Sequence, residues 1–132
     1  TGSLWYLRAS LQAQSNVVAL AQSDVITVQS YFDLDVTTRL TQRLEGHGRP
    51  LLCNEYLSRN AGSLLETHLP YLQQEKIGAY NWGLVDGKTQ TKYGCEGKGG
   101  TEKPEVWFHD VLRQDGTPSS PAEAELLRKL AQ

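Results

Sequence analysis

The sequence predicts an α/β protein built on parallel strands, and three observations carry that prediction. Short apolar runs of strand length alternate along the chain with stretches whose apolar residues recur at helical spacing. The central run ends in polar residues, as suits a buried parallel strand that delivers side chains to its C-terminal end. The helical stretches carry their own start signals, an Asp or Ser in front, and the first also has a Gly stop behind it. Strand and helix in alternation are the pattern of helices packed on a parallel sheet.

The elements follow in order. Within residues 17–31, the β-branched stretch Val25 to Val28 suits a buried strand. Asp35 to Leu44 reads as a helix: Val36, Leu40 and Leu44 form the stripe, Asp35 can cap the start, and Gly46 supplies the stop. Pro50 to Tyr56 is the central strand. Ser63 with Glu66 makes a capping box for a second helix with Leu65, Leu69 and Leu72 on one side, which Pro70 must kink or shift. Ile77 to Leu84 is a third strand, ending in Asn81, Trp82 and Gly83. Thr89 to Lys103, with Gly94, Gly97, Gly99 and Gly100, is a loop. Ser120, Pro121 and Glu123 then open a last helix that buries Leu126, Leu127 and Leu130.

A chain of 132 residues has room for one domain, since a chain of this size buries roughly two-thirds of its unfolded surface in a single core. Hydrophobic residues at 39% and charged residues at 21% describe a soluble globular protein. The net charge of −2, with scattered Lys and Arg, argues against a nucleic-acid partner, which requires a concentrated basic face. No run approaches the ~20 apolar residues of a membrane span, and the N-terminus lacks the basic-then-apolar pattern of a signal peptide.

Cys53 lies in an apolar run and Cys95 in the glycine-rich loop, so neither a disulfide nor a metal site is specified. The neighbourhood of Cys53 marks it as a core thiol rather than a nucleophile. His47, His68 and His109 fall in unrelated settings and are expected to be structural; no metal and no cofactor is expected.

Four segments, Ser23–Thr27, Gly48–Tyr56, Gly78–Leu84 and Glu105–Asp110, resemble the last strands of clan A glycoside hydrolases, the retaining cellulase and mannanase superfamily. The likeness lies in their order and spacing over roughly residues 17–130, including a strand ending in Glu-Tyr followed by Arg59. Residues 1–16 match nothing and stand as an unplaced N-terminal segment before a half-barrel over 17–132. The resemblance implies a partial TIM-type (β/α)8 barrel, and the strand edges and helix faces that a half-barrel exposes imply its completion by self-association, as a homodimer or a higher homo-oligomer. It implies a carbohydrate substrate and Glu55 as the catalytic nucleophile. Trp82 takes the place of the aromatic floor beneath the sugar, and Tyr31 that of a tyrosine near the nucleophile. Gln29 and Ser30 stand where the family has His-Asn, which puts Gln29 in a substrate-binding place.

The family's acid/base glutamate, in an Asn-Glu pair of an earlier strand, has no counterpart. Asn54-Glu55 is locally similar to that pair, but the segments downstream place it on the seventh strand. Retaining hydrolysis needs two carboxyl groups about 5 Å apart, and Glu55 supplies one. Each candidate has a second reading. Glu55 could serve a structural ion pair, Trp82 could be core, and Asn54 and Asn81 could satisfy backbone groups instead of binding sugar hydroxyls. The alternative to an enzyme is a non-catalytic carbohydrate-binding or structural half-barrel.

Overall fold

Among the described residues, four strands lie side by side in chain order and run parallel: β1 Gly2–Trp5, β2 Ile26–Gln29, β3 Leu51–Tyr56 and β4 Gly78–Asn81. The computed structural model describes residues 2–5, with their backbone only, and residues 13–94 and 104–131. Of the four α-helices among the described residues, three join successive strands, α1 Gln14–Gln22, α2 Leu34–Glu45 and α3 Leu65–Gln74, and the fourth, α4 Pro121–Leu130, follows β4. The protein is therefore α/β with a parallel sheet.

An order that never reverses brings each crossover back on the same side, because βαβ connections are right-handed. One core forms there. Ile26 and Val28 of β2 and Leu51 and Cys53 of β3 meet Leu40 and Leu44 of α2 and Leu65 and Leu72 of α3. Ala19 and Leu20 of α1 and Leu126 and Leu127 of α4 pack at its margin. Strand alternation sends Thr27, Leu52, Gly78 and Tyr80 to the other face, where they lie outside that cluster and Gly78 and Tyr80 are exposed. A side chain at Gly78 would displace the end of the side chain of Leu52, its register partner.

Two elements had no clear signal in the sequence. β1 lies within the unplaced segment and pairs with β2 from Gly2–Ile26 to Trp5–Gln29. α1 begins without a side-chain cap and leaves Val17 and Val18 half exposed, so its apolar positions form no clean stripe.

Capping differs from expectation at two helices. The residue at the start of α2 is Asp33, whose Oδ1 accepts from the Val36 N–H at 3.0 Å; Asp35, in the first turn, pairs with Arg39 instead. The box expected at α3 does not form. The Ser63 hydroxyl is occupied elsewhere, accepting from the Leu57 N–H at 3.1 Å and donating to the Ser30 carbonyl at 3.4 Å. The Leu64 N–H turns to His68 Nδ1 at 3.3 Å, and Pro70 is carried inside the helix. At α4 the box's N-cap forms, with Ser120 Oγ accepting from the Glu123 N–H and Pro121 in the first turn.

The strand expected over Ile77 to Leu84 is the shorter β4, which ends at Asn81, although the Trp82 N–H still donates to the Tyr56 carbonyl at 3.0 Å. Of the Thr89–Lys103 loop, residues 89–94 are irregular; Cys95 and the glycines from 97 to 100 lie outside the described residues. Burial pushes the Cys53 thiol up to about 12, so it packs as an apolar group. Among the described residues no cluster of His, Cys, Asp and Glu has the makings of a metal site, and no helix is long and apolar enough to cross a membrane.

Candidate active site

Strand β3 changes faces near its C-terminal end. Val28 pairs with Cys53, but the next residue of β2, Gln29, pairs with Glu55, so Asn54 is an extra residue in the ladder. The same irregularity shows against β4, where Cys53 pairs with Ala79 and Tyr56 with Asn81. In a regular strand Glu55 would share the helix-facing side of Leu51 and Cys53. The bulge moves it to the side of Leu52, opposite Gln29, at the C-terminal edge of the sheet. A charged residue is thereby kept out of the core.

Both carboxylate oxygens of Glu55 are filled by neutral donors. Gln29 Nε2 donates to Oε1 at 2.8 Å, and the Tyr31 hydroxyl donates to Oε2 at 2.5 Å. Glu55 makes no ion pair among the described residues. Three sequence-selected residues, Gln29, Tyr31 and Glu55, are thus brought together by adjacent strand ends. The cluster holds no second carboxyl group among the described residues.

The remaining candidates divide. Trp82 is 45% exposed and is not a core residue; Tyr80, two positions earlier, is 64% exposed. Asn81 does not join the Glu55 cluster: its register partner is Tyr56, on the helix side, and its amide donates to the Gly83 carbonyl. That is the backbone role, and it supports the turn at Gly83, whose φ of 82° favours glycine. Asn54 occupies the bulge with its Oδ1 buried and without a hydrogen-bond partner among the described residues.

Residues that carry no site signal in the sequence build the support behind the cluster. His109 is 2% exposed, its Nδ1 lies 2.5 Å from the Leu57 carbonyl, and its ring meets the Tyr31 ring edge-to-face at 5.5 Å. Burial lowers its basicity, as it does for His68. Arg59 forks onto Glu123 of α4 at 2.8 and 2.7 Å and reaches the Trp107 and Asp110 carbonyls at 3.0 and 3.2 Å. The only hint in the sequence is the position of Arg59 after Glu-Tyr; its partner Glu123 shows there as a capping residue alone. Glu55 is not among the walls of the hollow of about 420 Å³ that Arg59, Trp107, Arg113 and Glu123 help to line.

No protein-family model matches the chain, and neither the curated proteins nor the solved structures contain a significant match to it.

Proposed function

We propose that the chain is the C-terminal half of a (β/α)8-barrel glycoside hydrolase and that Glu55 attacks the anomeric carbon of a β-linked oligo- or polysaccharide. The observation that carries this reading is the Glu55 carboxylate itself. It ends a parallel strand, is turned by a bulge onto the face opposite the core, and is oriented by two neutral donors with no cation among the described residues to quench it. Barrel enzymes place reacting groups at strand C-termini. Trp82, half exposed just beyond β4, offers a flat apolar face to the C–H face of a pyranose. The sequential strand order, with the outer edges of β1 and β4 unpaired among the described residues, supports completion by a second copy that joins β4 of one protomer to β1 of the other.

A second reading, sugar binding without turnover, draws on the lack of another carboxyl group in the Glu55 cluster among the described residues. A panel of aryl β-glycosides assayed with wild type and Glu55→Gln in parallel separates the two. The enzyme reading expects release of the aryl group by wild type alone, and the binding reading expects sugar affinity with no release by either.

A further inference from the structure

His109 is nearly sealed from solvent, and each of its surroundings has a direction. A carbonyl oxygen only accepts, so the 2.5 Å contact to Leu57 places a proton on Nδ1 and fixes both the tautomer and the ring plane. Leu57 presents that carbonyl from a left-handed backbone conformation, φ 73°, which costs energy in a branched residue and is held by its N–H bond to Ser63. The segment carrying His109 is tied down on either side. The Arg59 N–H donates to the Phe108 carbonyl at 3.1 Å, and its guanidinium holds the Trp107 and Asp110 carbonyls. The fixed imidazole then lies edge-to-face on Tyr31, at an interplanar angle of 62°, and Tyr31 donates to Glu55.

We propose that His109 is a positioning residue for Glu55: held by the Leu57 carbonyl, its ring sets the plane of Tyr31 and, through the Tyr31 hydroxyl, the orientation of the carboxylate. The influence of His109 passes through the phenol, because the hydrogen bonds that orient Glu55 come from Gln29 and Tyr31. Core filling alone would leave the Tyr31–Glu55 contact indifferent to the chemistry of the ring. The consequence for turnover rests on the glycosidase reading, whereas the chain of contacts stands apart from it.

The test reads Tyr31 directly. Protein labelled with 3-fluorotyrosine gives a fluorine signal for each tyrosine, and Tyr31→Phe identifies the one that belongs to Tyr31. Glu55→Gln is expected to move that signal. His109→Gln, which keeps an N–H donor for Leu57 but removes the ring, is expected to move it as well, with an unchanged circular dichroism spectrum. Turnover of an aryl β-glycoside by His109→Gln should show kcat reduced on the order of a hundredfold with KM unchanged, the mark of a misplaced reacting group. A Tyr31 signal that responds to Glu55→Gln and ignores His109→Gln overturns the proposal, as does one that ignores both. Should His109→Gln fail to fold, the reciprocal measurement decides. The ¹⁵N signals of the His109 ring must shift in Tyr31→Phe, and unshifted signals overturn the proposal. Wild type without turnover would defeat the glycosidase reading and leave the fluorine and ¹⁵N tests of His109 standing.

Discussion

Tyr31 and Glu55 meet at 2.5 Å across adjacent strand ends, the phenol donating to Oε2. The contact exists because the extra residue Asn54 turns Glu55 away from the helices, and it leaves the carboxylate oriented and, among the described residues, without a counter-ion. This arrangement and the supports behind it have consequences that can be measured.

Trp82→Ala is expected to weaken sugar binding while leaving folding nearly untouched. A residue exposed to 45% contributes little to the core, and surface replacements cost about 0.5 kcal/mol or less. Affinity for a panel of soluble β-linked polysaccharides and the melting temperature are measured side by side. A melting temperature that collapses with the affinity would return Trp82 to the core.

Arg59→Ala should be the most damaging single change outside the apolar core. The Arg59 and Glu123 side chains are only 10% and 11% exposed, so removal of the cation strands a nearly buried carboxylate and releases two backbone carbonyls. The expected loss is about 3–5 kcal/mol in urea unfolding. Glu123→Gln, which keeps one acceptor for Arg59, should cost less; equal losses would show that the carboxylate's charge, and not the acceptor that Gln retains, carries the contact.

Stability should fall as the pH drops below about 6.5, the ordinary histidine value. Burial holds the basicity of His68 and His109 below that value in the folded chain. The unfolded chain therefore takes up protons there while the folded one does not, and this contribution, present above that pH, is lost on descending through the folded values. Urea midpoints at pH 7.5 and 5.5 test this, with the lower midpoint expected at 5.5. His68→Gln should flatten the slope, and an unaltered slope would assign the effect to other groups.

Self-association is expected if a second copy covers the edges of β1 and β4 that no described residue pairs. Sedimentation should report a dimer at assay concentrations, and any hydrolysis should fall on dilution to monomer. A monomer with unchanged specific activity would rule out completion by a second copy.

Much of the framework was legible because it depends on local pattern. The β-branched run before Gln29, the Leu40–Leu44 stripe and the Ser120–Pro121–Glu123 start of α4 each became the element expected. The carboxylate at the end of β3 was legible too, since an acidic residue closing an apolar run has few structural uses. What was hidden depends on tertiary contacts. A bulge at Asn54 is a matter of register between strands and leaves no mark in one strand's composition. The same holds for Ser63, whose hydroxyl had a stronger claim from Leu57 than from α3. His109 acquires its place only when Leu57 and Tyr31, both distant in sequence, converge on it.

The assignment of Glu55 as nucleophile is tested most directly by trapping. Retaining hydrolysis passes through a glycosyl ester on the nucleophile, and a 2-deoxy-2-fluoro-β-glycosyl fluoride forms that ester and then releases it slowly. Fluoride departs without help from a general acid, so the reagent interrogates Glu55 even where the second carboxyl group is lacking. A panel of such fluorides is incubated with the protein, and intact mass and peptide mapping follow. The account predicts one added glycosyl group on the peptide that contains Glu55, absent from Glu55→Gln. Aryl β-glycoside hydrolysis with no label on Glu55, or a label that persists in Glu55→Gln, would contradict it.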